Sequence, residues 1–188
     1  MADLPWGSEQ SFAFITNVGL ITSSGPNGQN IMAAEWTHQI SYEPGMVAIC
    51  IGDESATAEN IRKTKEFGIS ISSIDQNVLV SVAGGASGKN TDKIKVLEEL
   101  GFKFHKAKKI KALMVDGAVL NVECKLINEM PLGDHIMFVG EALEASVNKN
   151  KEPLALHKGM YWKMTETIQK PSPEARGNIK KIIEKFSK

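Results

Sequence analysis

Apolar residues in this chain alternate with polar ones in some stretches and run unbroken in others, and the breaks fall at clusters of glycine, proline, serine and asparagine. Residues 12–22 are apolar and rich in strand formers, and Ser23-Ser24-Gly25-Pro26-Asn27-Gly28 is dense in turn residues. A hairpin between 12–22 and 31–40 is therefore expected. Tyr42-Glu43-Pro44-Gly45 then turns the chain into a third strand over 46–51. Residues 57–65 carry helix formers and lead to a strand over 67–73. Residues 75–82 are read as a helix, and 83–90, Ala-Gly-Gly-Ala-Ser-Gly-Lys-Asn, as an irregular loop. Thr91 is then expected to cap a short helix containing Ile94, Leu97 and Leu100.

Two strong strands follow. In 120–126 the apolar Leu120, Val122, Cys124 and Leu126 alternate with Asn121, Glu123 and Lys125, which predicts one core face and one wet face. Met130-Pro131-Leu132-Gly133-Asp134 reads as the turn into 136–143, whose near-continuous apolarity predicts a strand that is central or lies in a subunit interface. Residues 159–164 form a last short strand. The chain thus divides into a barrel-forming body, 1–168, and an appendage, 169–188, made of a proline-containing linker and a basic helix with Ile179, Ile182, Ile183 and Phe186 on one stripe. The whole is expected to be mainly β with peripheral helices.

Composition narrows the partners. With 22 basic and 22 acidic residues there is no global field to hold nucleic acid or an anionic membrane. At 188 residues the chain suits one domain that buries roughly 70% of its unfolded surface. Cys50 and Cys124 sit far apart in apolar runs and read as buried, reduced side chains. No run is long enough to span a bilayer, and the start of the chain has no signal-peptide pattern, so a soluble cytoplasmic protein is expected. Lys106 to Lys111, with four lysines, reads as a solvated loop.

The chemistry-bearing motifs are mostly negative. His38, His105, His135 and His157 show no metal-ligand spacing. There is no Gly-x-Ser-x-Gly elbow, no dinucleotide-binding glycine fingerprint and no Walker lysine. One positive signal is the strand-to-helix junction 52–61, Gly-Asp-Glu-Ser-Ala-Thr-Ala-Glu-Asn-Ile, where free backbone N–H groups can meet an anion.

Asn-Ile-Met-Ala-Ala-Glu-Trp (30–36), Ser-Ala-Thr-Ala-Glu-Asn-Ile (55–61), Ser-Gly-Lys-Asn-Thr-Asp-Lys (87–93) and Gly-Asp-His-Ile-Met-Phe-Val-Gly-Glu-Ala-Leu (133–143) resemble, in order and separation, the flavin reductase-like family that includes flavoredoxins and archaeal ferric reductases. The resemblance implies a split β-barrel that binds FMN without a covalent bond, between the subunits of a homodimer. It further implies an oxidoreductase passing electrons from NAD(P)H through FMN to a small acceptor such as free flavin or a ferric chelate. A flavoredoxin-type carrier served by a redox protein, or a non-redox flavin-binding module, are the alternatives.

On that resemblance Asn30, Met32, Ala33, Ala34, Glu35, Trp36, Ser55, Thr57, Asn60, Ser87, Gly88, Lys89 and Lys93 are expected to bind the cofactor, with Ala33, Ala34 and Trp36 at the flavin ring and Ser55, Thr57, Lys89 and Lys93 toward its phosphate. His135 is expected at the pocket mouth where the nicotinamide or electron acceptor approaches. Each residue also has a plainer reading. Ala33 and Ala34 can be small strand residues, Trp36 a core or interface tryptophan, and Ser55 an ordinary helix cap. Lys89 can be a solvated lysine and His135 a turn residue. A carboxylate at Glu35 departs from the family's small or hydroxyl residue, so its contact stays open.

Overall fold

The computed structural model describes residues 3–187. The apolar run at 12–22 does not form one strand. Ser8 caps a single helical turn, α1 (Glu9–Phe12), by accepting from Ser11 N at 3.1 Å. The chain then splits into β1 (Ile15–Asn17) and β2 (Gly19–Gly25). The break falls at Val18, next to a close contact. A Cβ at Gly19 would lie 2.7 Å from Cβ of Thr37, so only glycine lets β2 start against that residue.

β2 pairs with β3 (Gly28–Ala34) in register, Ser23 opposite Asn30 and Ser24 opposite Gln29. The turn is therefore shorter than the sequence implied, with Gly28 at φ +70°. The predicted partner strand 31–40 is also cut: β3 ends at Ala34, Glu35 and Trp36 form a bend, and β4 (Thr37–Tyr42) leaves to pair with β5 (Gly45–Gly52). The helix α2 (Ala56–Thr64) and the strand β6 (Glu66–Ile71) follow as expected.

The helix α3 (Asn77–Gly85) continues through residues expected to be irregular. Packing overrides composition here. Leu79, Val80 and Ala83 are buried, and Gly84 brings α3 so close to β3 that a Cβ on it would sit 3.3 Å from Ala33 Cβ. Only 86–92 is irregular, and α4 (Lys93–Glu99) is capped by Asp92, not Thr91, through Asp92 Oδ1 accepting from Lys95 N at 3.2 Å. A short ribbon, β7 (Phe104–Lys106) with β8 (Leu113–Val115), leads to the long hairpin β9 (Leu120–Leu132) and β10 (His135–Val147). Met130 to Leu132 belong to β9, so the turn is only Gly133-Asp134. Glu123 is not on a wet face: it is 5% exposed and accepts Lys108 N at 2.9 Å and Lys109 N at 2.6 Å. The lysine-rich loop is thereby pinned by its backbone, although its side chains remain outside.

Seven strands form one antiparallel sheet in the order β3-β2-β6-β9-β10-β5-β4. β10 is central, as its apolar sequence implied; Phe138 and Val139 are 0% and 8% exposed on opposite faces. A three-stranded sheet joins β1 to β11 (Ala155–His157) and β12 (Met160–Trp162). One core lies under α2, around Ile21, Ile51, Ile61, Phe67 and Phe138. The other lies under α3 and α4, around Leu20, Ile31, Leu79 and Leu97. Each such side chain contributes about 1.5–3 kcal/mol of burial. The sheets do not close, so the protein is a mainly β split barrel with peripheral helices. The last helix, α5 (Pro173–Lys185), has no buried residue.

Candidate functional site

A cleft of about 890 Å³ opens where β3, the end of β5 and the start of β10 face the small sheet and α1. Met32, Ala33 and Ala34 line it from β3, Glu35 and Trp36 from the bend, and His135 from the first position of β10. β3 is an edge strand, so on the side away from β2 alternate backbone N–H and C=O groups have no ladder partner. Trp36 is 48% exposed and its ring centroid lies 4.6 Å from that of His135. His135 Nδ1 is 2.7 Å from Asp134 Oδ1, and this contact holds the Asp134 carboxyl below its ordinary value. The turn thus fixes the orientation of the imidazole at the cleft mouth, while Cys50 sits on β5 beside it with its thiol pushed up by burial.

Other wall residues carried no signal in the motifs. Trp6, Phe14 and Thr16 come from the N-terminal segment, and His157 and Tyr161 from the small sheet. The cue available was the aromatic density of residues 6–14, but only the placement of β1 in the small sheet, apart from β2, brings that segment onto the cleft. His38 lies away from it, exposed on β4.

Asn30, unlike the rest of the 30–36 motif, does not line the cleft; with Ser55, Thr57, Asn60, Ser87, Gly88, Lys89 and Lys93 it belongs to a second group outside the cleft walls. Ser55 Oγ accepts from Ala58 N at 3.1 Å as the cap of α2. Thr57 Oγ1 accepts from Asn30 Nδ2 at 2.8 Å, and both side chains are buried. Asn60 is fully buried: it accepts from Asn27 N at 2.9 Å and donates to Ser23 Oγ and Gly28 O at 3.1 Å each, so it clamps the β2–β3 turn. The 86–92 segment lies over this group. A Cβ on Gly88 would collide with the Asn30 amide, and Lys89 Nζ pairs with Glu59 Oε1 at 2.5 Å, which holds the Glu59 carboxyl down. Ser87 is exposed beside them, accepting from Lys89 N at 3.3 Å. Lys93 points inward, away from the surface, and donates to Ala83 O at 2.9 Å. Asp53 pairs with Arg62 at 2.5 Å, so its charge is turned from the α2 start. Gly88 and Lys89 also line a smaller hollow of about 490 Å³ with Asn27 and Thr91.

The residues present fit a flavin. The cleft is in the size range of ligand sites and is walled by aromatic and small side chains. One polar atom in its wall, Thr16 Oγ1, is buried with no hydrogen-bond partner among the described residues. Among the described residues there is no cluster of side chains suited to a metal and no helix long and apolar enough to cross a membrane.

The fold and the sequence both match known proteins. A flavoredoxin from Methanosarcina acetivorans superposes with a TM-score of 0.79 at 19% identity, over 94% of this chain and 100% of that one. A ferric-chelate reductase (NAD(P)H) from Archaeoglobus fulgidus is 26% identical over 135 residues, 71% of this chain and 78% of that protein. An uncharacterised protein of Pyrococcus abyssi is 32% identical over 124 residues, 66% of this chain and 69% of its own. The model of the flavin reductase like domain matches residues 11–165, and the chain belongs to that family.

Proposed function

We propose that this protein is a homodimeric flavin reductase-like oxidoreductase that holds FMN and passes electrons from NAD(P)H to an acceptor such as free flavin or a ferric chelate. The observation that supports it most is the cleft itself. An edge strand of small residues, 32–34, forms one wall, and Trp36 and His135 stand together at the mouth. A bound flavin supplies the hydride and single-electron chemistry, so the protein's part is to bind, orient and exclude water.

In this reading the free backbone edge of Met32 to Ala34 meets the polar rim of the ring, and Thr16 Oγ1 finds there the partner it lacks within the chain. Trp36 covers one end and limits water. Glu35, half-buried on the wall, disfavours an anionic ring and so raises the cost of holding a reduced, deprotonated flavin. Ser55, Ser87, Gly88 and Lys89 hold the phosphate over the first turn of α2. Asn30, Thr57 and Asn60 fix the backbone beneath it. His135 orders the incoming nicotinamide or acceptor at the mouth. The exposed aromatic rim, with Trp6 at 78% and Phe14 at 64%, is covered by a second copy of the chain. Two unpaired cysteines suit a reducing, cytoplasmic setting. Residues 169–188 are an appendage to the barrel.

Anaerobic mixing of the FMN-loaded protein with NADH or NADPH tests the reading. Rapid bleaching is the expected result. Bleaching only with a reduced redox protein or dithionite would make the chain a flavoredoxin-type carrier, and absence of any flavin retention would sink the flavin assignment altogether.

A further inference from the structure

Lys93 opens α4, where a lysine would ordinarily face water, yet it is 3% exposed. Its Nζ donates to the carbonyl of Ala83 in the last turn of α3, and among the described residues no carboxylate lies within ion-pair distance of it. Its surroundings offer no counter-charge. The elements packed most closely against α4 are α3 and β3, and neither contains an ionisable residue; the β7–β8 ribbon shares the same core, and its Lys106 is exposed. In the connecting segment Lys89 is paired with Glu59 and Asp92 with Lys95. Glu98 and Glu99 are exposed on α4, and His105 on the neighbouring ribbon is paired with Asp116. Among the described residues the one polar partner of the buried Lys93 Nζ is the carbonyl of Ala83, in the last turn of a helix.

The contact joins the two ends of the 86–92 segment. The middle of that segment lies on Asn30 through Gly88, Asn30 bonds Thr57 at the start of α2, and Lys89 reaches Glu59 on the same helix. Lys93, the loop and the first turn of α2 are therefore one connected unit.

We propose that Lys93 is a positioning residue for a phosphate monoester: it draws the end of α3 and the start of α4 together so that the 86–92 loop closes on the first turn of α2. Its unneutralised charge makes phosphate binding there take up a proton. The proposal rests on the flavin-phosphate seat described above.

The sign follows from the environment. Burial lowers the Lys93 ammonium to about 8, so near that pH the ligand-free protein is partly deprotonated there. A phosphate dianion seated on the loop interacts with the ammonium through a weakly screening interior and restores the proton. Affinity for the phosphate ligand is then full below about pH 7 and falls as pH rises through about 8. The ligand's own second ionisation lies near pH 6, so it is a dianion across the window.

The test titrates apo-protein with FMN and with riboflavin, which has the same ring and no phosphate, from about pH 7 to about pH 9.5, following flavin fluorescence. FMN affinity should drop about tenfold across that range, a change of about 1.4 kcal/mol, and riboflavin affinity should not change. Lys93→Met should bind FMN more weakly than wild type at pH 7 with no slope. Lys93→Arg, charged throughout, should bind FMN without a slope. A flat FMN profile in wild type overturns the proposal, as does a slope that survives in Lys93→Met or is shared by riboflavin. If riboflavin and FMN both fail to bind wild type, the flavin reading falls and the phosphate seat with it; if both bind and only the pH profile is flat, Lys93 alone is displaced.

Discussion

The cleft and the group of polar residues behind it use the same kinds of side chain in opposite ways. Behind the cleft, Asn30, Thr57 and Asn60 are buried and spend their hydrogen bonds on one another and on the β2–β3 turn. In the cleft, Trp36, His135 and Thr16 are left with capacity: an exposed indole, a half-buried imidazole with one nitrogen on Asp134, and, among the described residues, a hydroxyl without a partner. A satisfied polar group stabilises the fold and has little left for a ligand, while an unsatisfied one costs stability until a ligand arrives. The first region should therefore answer to substitution in stability, and the second in flavin chemistry.

The largest effect should come from the rear group. Asn60→Ala removes the acceptor of Asn27 N and the donor to Ser23 and Gly28 from a site with no solvent, and should lower stability by about 3 kcal/mol in a denaturant melt. A loss below about 1 kcal/mol would mean the turn holds without its clamp.

Lys93→Met breaks the comparison from inside the same region, because there a polar group is charged and unpaired. Its folded-state value of about 8 lies below the ordinary 10.5, so the unfolded chain binds the proton more tightly. Wild-type stability is penalised fully below pH 8, and the penalty is relieved as pH rises from about 8 toward 10.5. Lys93→Met should raise stability at pH 7 by about 1–3 kcal/mol, after allowing for the lost bond to Ala83, and should flatten that pH dependence. A destabilised Lys93→Met, with melting measured at both ends of the window, would contradict it.

In the cleft, His135→Ala should leave flavin binding and melting temperature nearly unchanged and slow anaerobic reduction by NAD(P)H about tenfold, a barrier of about 1.4 kcal/mol. A normal rate with a lowered melting temperature would make His135 a brace for the Gly133-Asp134 turn. The smallest stability effect belongs to Lys89→Ala. Its ion pair with Glu59 is 40% and 43% exposed, and such pairs contribute about 0–1 kcal/mol. Melting should scarcely move, while FMN affinity falls several-fold; equal affinity would remove Lys89 from the phosphate seat.

Local chemistry along the chain determines much of this protein. The strands at 46–51 and 67–73, the helix after Ser55 and the central position of β10 follow from apolar runs, capping residues and period, which act within a few neighbours along the chain. Of the motifs at 30–36 and 133–143, Met32 to Trp36, Asp134 and His135 lie along the cleft, while Asn30 is buried behind it. Three things were out of reach for the sequence because they depend on what lies across space. The apolar run is divided between two sheets, with Gly19 admitting the close approach of Thr37, and that division places Trp6 and Phe14 at the cleft. Glu123 and Lys93 look like surface charges by period and by loop context; one is buried by two backbone N–H groups from the lysine loop, the other by the end of α3. Gly84 and Gly85 look like loop residues but remain helical because α3 is held on β3. The pattern of the chain determined which elements form, since that is decided by each segment's own propensity and its apolar face. Which polar side chains are consumed inside and which are left for a ligand was decided only by the tertiary structure, because a hydrogen bond between residues 27 positions apart, such as Asn30 to Thr57, leaves no trace in either segment alone.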